Sequence, residues 1–256
     1  MTTKRGNLAI AGAGKAAGGI YERVTISGAG RVEGDVEAES VEISGAGKII
    51  GKVKANRVGL AGACRITGAV TAQEFDAAGA WKVGGDVQSE IFKAAGAGKV
   101  EGSLHAQEFS NAGTIKIAKN LKAQRAKFSG VFAAGGDVEA SELRGRGAFR
   151  IEGLLAADRL ELELSERSWA REIGGERITV RKGESFWGWL ARWWGRPVEL
   201  ATELIEADEI SLEATVAKIV RGKRVTIGPG CRIDRIEYAE SLQIDPKGVV
   251  KEQVRV

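Results

Sequence analysis

With 38 basic against 34 acidic residues, this chain of 256 residues carries a net charge of only +4. That is too small an excess for a nucleic-acid-binding composition and gives a weak preference for acidic partners such as phosphates or anionic lipid. Two cysteines and one histidine supply no disulfide framework or metal site, which suits a reducing cytoplasm, and no run approaches the ~18 apolar residues of a membrane span.

The N-terminal stretch MTTKRGNLAIAGAGK has a basic start and a short apolar run like a weak signal peptide. Leu8 and Ile10 read instead as the first apolar doublet of a repeat, answered one coil later by Val24 and Ile26 at a spacing one short of the regular period.

From Gly28 to Glu163 one 17-residue unit is written eight times without insertion, its first position being Gly28, Gly45, Gly62, Gly79, Gly96, Gly113, Gly130 and Gly147. A fixed short period means a solenoid. The fifth position is apolar (Val32, Ile49, Ile66, Val83, Val100, Ile117, Ala134, Ile151), and so is the ninth (Val36, Val53, Val70, Val87, Leu104, Leu121, Val138, Leu155). The eleventh is small. Together with the third, fourteenth and sixteenth they make three pairs of alternating inward positions per coil, which predicts three short strands. Glycine at the first position, and at the seventh in seven of eight units, marks two corners where a positive φ or a tight bend suits it. A helical reading fails, because apolar residues recur at i, i+2 and mid-unit glycine would cost a helix about 1 kcal/mol per residue. The pattern predicts an all-β fold, a parallel β-helix with a triangular coil. Asn111, Gly145 and Ala126 are poor core residues for their slots and predict local loosening.

Beyond the repeat, Ile178 and Val180 continue the doublet at a spacing one longer than the period, with Trp169 and Ile173 in the fifth and ninth slots. The next doublet, Ile210 and Leu212, comes almost two coil lengths later, so an insertion separates the two. The organisation expected is therefore coils over 1–180, an aromatic insertion over 181–203 and further coils over 204–256. After Ser185, a residue suited to an N-cap, FWGWLARWWG stops before Pro197, the start and stop signs of a short helix. At about 100° per residue, Phe186, Trp187, Trp189, Leu190, Trp193 and Trp194 share one face, with Arg192 and Arg196 on the other. Such a segment resembles an interfacial anchor for an anionic membrane surface; the plainer reading packs it on the solenoid wall or on another subunit.

Val225 and Ile227 follow after a shortened coil and Leu242 and Ile244 at the restored period, and the tail from Asp245 reads as another partial coil. No polar cap is legible before Leu8 or after Ile244, so Leu8, Ile10, Leu242, Ile244 and Val249 are expected at adhesive ends that associate into filaments; the plainer reading is that terminal residues fold over and cap the coils.

The fourth position is basic in seven of eight units (Arg31, Lys48, Arg65, Lys82, Lys99, Lys116, Arg150). This stripe is either an anionic docking face or a solvated face balanced by Glu33, Glu101 and Glu152. Catalysis is poorly supplied. His105 stands at an outward tenth position without a surrounding loop, so no catalytic, cofactor-binding or metal-ligating residue is assigned. The GAGK recurrences at 12–15, 45–48 and 96–99 lack the full phosphate-loop frame, and no nucleotide site is expected. The alternative reading is a β-helix enzyme acting on carbohydrate or transferring acyl groups, which a pocket lined by His105 would favour.

The GAGKVEG and VEGDVEAESVEISGAG coils and the C-terminal LIEADEISLEATVAKIVRGKRVTIGPGCRIDRIEYAESLQI resemble the bactofilin family of bacterial polymer-forming cytoskeletal proteins, and the second pattern resembles a Gram-positive subgroup. The resemblance implies a right-handed β-helix, nucleotide-independent homopolymers, cytoplasmic placement at the inner membrane face, and envelope or motility proteins as partners. The long solenoid, the scarcity of proline and the aromatic insertion depart from that pattern.

Overall fold

The computed structural model of the protein describes residues 6–183 and 198–256. The chain divides into two compact units, Met1–Ala123 and Gln124–Val256. Unit 1 contains β1 (Leu8–Ala11), β2 (Lys15–Ile20), β3 (Arg23–Gly28), β4 (Arg31–Gly45), β5 (Lys48–Ile50), β6 (Val53–Ile66), β7 (Val70–Val83), β8 (Val87–Val100) and β9 (Leu104–Ile117). The chain passes into unit 2 within β10 (Leu121–Ala134), followed by β11 (Val138–Leu164), β12 (Ser168–Lys182), β13 (Leu200–Leu212), β14 (Thr215–Ile227), β15 (Arg232–Ile244) and β16 (Val249–Arg255). No helix occurs among the described residues. The fold is the expected parallel β-helix.

Residues 17 apart are vertical neighbours: Val36 pairs with Val53 and Val53 with Val70, in parallel register. In the coil from Gly45, positions three, five, nine, eleven, fourteen and sixteen (Gly47, Ile49, Val53, Ala55, Val58 and Leu60) are all buried, and the residues between them face outward. Burying the same six slots in each coil provides the main stabilisation, at roughly 1.5–3 kcal/mol for each large apolar side chain. The expectation of three separate short strands is corrected. From β6 to β10 each coil is one bent strand of 14 residues, interrupted only near the sixth to eighth positions. The reason lies in the first-position glycines. All eight have positive φ, from 91° at Gly96 to 129° at Gly147, so successive coils bend alike and the ladder continues through the corner. The seventh position needs glycine mainly for clearance. A Cβ on Gly68 would lie 2.4 Å from the Gly51 carbonyl oxygen, and one on Gly102 would lie 2.2 Å from Asp86 Oδ1.

Asp86 is there because it closes the same corner. Its Oδ1 accepts from the Ser103 backbone N–H at 2.8 Å, as Asp35 accepts from Lys52 at 2.7 Å and Asp137 from Leu154 at 2.9 Å. Each aspartate satisfies a backbone donor one coil further on, where the ladder is interrupted. Sequence periodicity alone missed this role.

The core columns are filled by complementary volumes. Phe75, Phe92 and Phe109 stack at centroid separations of 4.9 and 5.5 Å. Trp81 meets Phe75 and Phe92 edge-on, and it is accommodated because its ladder partner is Gly98. The loosening expected at Ala126, Gly145 and Asn111 is absent. Phe128 occupies the space over Gly145, where a Cβ would come 2.2 Å from Phe128 Cζ, and it stacks on Phe132 at 5.1 Å. Asn111 is buried with its Nδ2 donating to the Gly113 carbonyl at 3.2 Å.

Unit 2 keeps the ladder while varying coil length. Ile178 pairs with Ile210 and Val180 with Leu212 across the long interval, and Ile210 then pairs with Val225 across a shortened coil. One slot assignment is corrected: Trp169 pairs with Arg150, and the fifth-slot partner of Ile151 is Ala170, which is fully buried while Trp169 is partly exposed. Between these slots β11 advances four residues, from Ile151 to Leu155, and β12 only three, from Ala170 to Ile173, so the offset falls from 19 to 18 at the register shift.

Candidate functional site

One open groove lies on each unit among the described residues, so the candidates are surfaces of the coil. The expected anchor, Phe186, Trp187, Trp189, Leu190, Arg192, Trp193, Trp194 and Arg196, lies outside the described residues. β12, which ends at Lys182, and β13, which begins at Leu200, pair in parallel register on either side of it.

The expected polymer-end residues are placed as follows. Leu8 and Ile10 lie in β1 and pair with Val24 and Ile26 of β3, Leu8 half-buried and Ile10 buried. Leu242 and Ile244 pair with the buried Val225 and Ile227 but are themselves only half-buried. Val249 is 58% exposed opposite Arg232, and it is the next residue, Val250, that stands on the buried Ile233.

The basic stripe is a true ladder in unit 1, with Arg31, Lys48, Arg65, Lys82, Lys99 and Lys116 paired rung to rung. Glu101 bridges Lys82 at 2.5 Å and Lys99 at 2.9 Å, and these two ammonium groups hold its carboxyl at a pKa of about 2. Arg31 pairs with Glu33 at 2.9 Å, and in unit 2 Arg150 pairs with Glu152 at 2.6 Å. Like charges stacked at strand spacing repel, and these acids on the same face offset that. The plainer reading of the stripe therefore holds at the paired rungs.

A groove of about 690 Å³ runs over the tenth to twelfth positions of unit 1, and His105 is among its lining residues. Here His105 is a rung beside Gln88 and its imidazole hydrogen-bonds to no described residue, so it lacks the orienting partner a general base needs. Both thiols are buried: Cys64 Sγ faces the Ile43 carbonyl at 3.6 Å and Cys231 Sγ the Leu212 carbonyl at 3.3 Å, and burial raises both pKa values. Among the described residues no group of three or more His, Cys, Asp or Glu side chains is arranged to hold a metal, and no helix is long and apolar enough to cross a membrane.

A second groove, about 810 Å³, lies in unit 2 over the fifteenth to seventeenth positions, lined by Lys127, Arg144, Arg146, Arg181, Lys182, Glu161 and Glu163 among others. Further along the unit the charges alternate strand by strand. Glu203 pairs with Lys218 at 2.8 Å, Asp208 with Lys223 at 2.9 Å, and Glu206, Arg221 and Glu237 form one column at 3.1 and 2.7 Å. In the next column Arg177 meets Glu209 at 2.6 Å, Glu209 meets Arg224, and Arg224 meets Glu240 at 2.6 Å; the two guanidinium groups hold Glu209 at a pKa of about 2. These columns escape a periodic reading of the sequence because their spacings of 32, 15 and 16 depart from the regular repeat.

The chain is 43% identical to the uncharacterized protein YhbE of Bacillus subtilis (strain 168) over 41% of its own length and 44% of the relative's. It is 40% identical to the uncharacterized protein YhbF of the same Gram-positive organism, over 41% of its length and 42% of the relative's. It thus spans less than half the length of these relatives. No solved structure matches it. Residues 1–88 match the bactofilin family, described as polymer-forming cytoskeletal. That match covers the VEGDVEAESVEISGAG coil, one of the motifs on which the sequence resembles the family.

Proposed function

We propose that the protein is a structural cytoskeletal scaffold whose coils associate end to end into nucleotide-independent filaments, and that the segment from Phe186 to Trp194 docks the polymer on the cytoplasmic face of a membrane. The observation that carries the reading is the continuous parallel ladder of β3 to β9, most of which falls within the region matching a polymer-forming cytoskeletal family. A stack of parallel coils extends by adding one more strand to an edge ladder, with no chemistry and no nucleotide required. The half-buried Leu242 and Ile244 give such an added coil an apolar surface to cover. The second half of the proposal rests on the aromatic and basic pattern of the insertion, since rings at the headgroup boundary bind weakly alone and gain from repetition along a polymer.

Negative-stain microscopy of the purified full chain without nucleotide tests the first half. Unbranched filaments are expected, and a strict monomer at micromolar concentration contradicts it. Vesicle flotation of Trp193→Glu with Trp194→Glu tests the second, for which loss of binding is expected and unchanged binding contradicts it. The groove beside His105 favours a second reading, a β-helix acting on carbohydrate or acyl groups. Under that reading His105→Ala abolishes turnover of such a substrate, whereas under the scaffold reading no turnover is found to abolish.

A further inference from the structure

In the groove over the fifteenth to seventeenth positions of unit 2, unmatched basic side chains are gathered in one place. Its lining carries five basic and two acidic side chains, an excess of three positive charges. Arg144 pairs with Glu161 at 3.5 Å and Arg146 with Glu163 at 2.9 Å, which uses both acids. Arg181 is the ladder partner of Glu163, but that carboxylate is already taken by Arg146. The side chains of Lys127, Arg181 and Lys182 are left without a counter-ion among the described residues. This contrasts with β13 to β15, where acids and bases alternate and are matched column by column. An unmatched cluster gathered in one groove, beside columns of matched ion pairs, raises the local positive potential and marks a place for an external anion.

The form of the groove decides which anion. Arg144 and Arg146 are 63% and 72% exposed, so this is an open rim with none of the enclosure that would desolvate a single small anion. Exposed cations hold one free phosphate poorly, because each contact is screened. They hold a dense array of phosphates well, because each of several cations adds its own attraction to the surface. Sequence position points the same way: Lys182 stands four residues before Phe186, the first residue of the aromatic segment. We propose that the groove formed by Lys127, Arg144, Arg146, Arg181 and Lys182 docks on the phosphates of anionic lipid headgroups. The inference rests on the membrane half of the proposed function and assigns its electrostatic part to described residues of the coil.

Flotation of the full chain tests it, with vesicles of phosphatidylcholine alone or mixed with phosphatidylglycerol. The parent protein partitions onto the mixed vesicles only, and salt weakens that binding. The groove variant Lys127→Gln/Arg181→Gln/Lys182→Gln loses roughly tenfold or more in partitioning, while its melting temperature stays near that of the parent. The stripe variant Lys48→Gln/Arg65→Gln/Lys116→Gln removes the same charge from unpaired rungs of unit 1 and keeps its binding. A groove variant that floats like the parent overturns the inference and leaves the aromatic anchor standing. A stripe variant that loses as much also overturns it, because net charge then suffices. Equal binding to both vesicle types overturns it, as does soluble polyphosphate binding as tightly as the mixed vesicles. A parent protein that does not float at all overturns both the inference and the membrane reading.

Discussion

Trp81 stands directly on Gly98 in the ladder between β7 and β8, and a Cβ on Gly98 would lie 2.1 Å from Trp81 Cζ2. The two residues act as one packing unit in which the missing side chain makes room for the indole. Gly98→Ala is expected to destabilise the protein by about 1–3 kcal/mol through overpacking. Adding Trp81→Leu to Gly98→Ala should cost less than the sum of the two single changes, since the smaller ring-free side chain relieves the clash. Denaturant unfolding of the two single variants and the double variant measures the coupling, and strict additivity counts against this packing.

Glycines in one coil are not equivalent. Gly79 has φ of 93° and its Cβ would approach the Gly62 carbonyl oxygen to 2.8 Å, so Gly79→Ala should cost roughly 1–2 kcal/mol for the left-handed backbone, and more for the clash. Gly59 has nothing nearer than Glu42 Cγ at 3.8 Å and no positive φ. Gly59→Ala should be neutral or stabilising by up to about 1 kcal/mol, by restricting the unfolded chain. Melting temperatures of the pair give the comparison.

Glu209 sits between Arg177 and Arg224, and its carboxyl titrates near 2 in the folded protein against an ordinary value of 4.5. A carboxylate whose folded pKa is depressed adds stability that is complete above the unfolded value and is lost as pH falls through the folded one. Thermal melts of the parent and of Glu209→Gln should therefore differ most at pH 6 and converge as pH drops from about 4.5 to about 2. A gap that stays constant over that range contradicts the assignment. Glu101 in unit 1, held by Lys82 and Lys99, should behave in the same way.

The fold was legible in the sequence because its defining contacts are strictly periodic. A residue such as Val53 needs only to be apolar and 17 places from Val36 and Val70 to fill its slot. First-position glycines were legible for the same reason. What the period hides is volume exchange between columns. Gly98 and Gly145 look like defects until Trp81 and Phe128 are seen to occupy their space. The aspartates at the eighth position were missed because their partner is a backbone N–H, which leaves no mark on residue type. Coil length also misled: β12 is one residue short between its fifth and ninth slots, which puts Ala170 rather than Trp169 in the fifth. Of the candidate surfaces, the basic stripe was visible as a repeat. The groove of Lys127, Arg181 and Lys182 was not, because it joins regular coils to irregular ones.

Side chains 17 apart are vertical neighbours in the regular coils, and disulfide trapping tests this most directly. Ala61 and Ala78 are exposed ladder partners, at a strand spacing of ~4.8 Å that a disulfide can bridge, whereas Ala80 is offset along the strand. In a background with Cys64 and Cys231 replaced by alanine, Ala61→Cys/Ala78→Cys should close an intramolecular bond on mild oxidation and Ala61→Cys/Ala80→Cys should not. Closure of the second pair in preference to the first would contradict the stacked-coil register on which the scaffold reading stands.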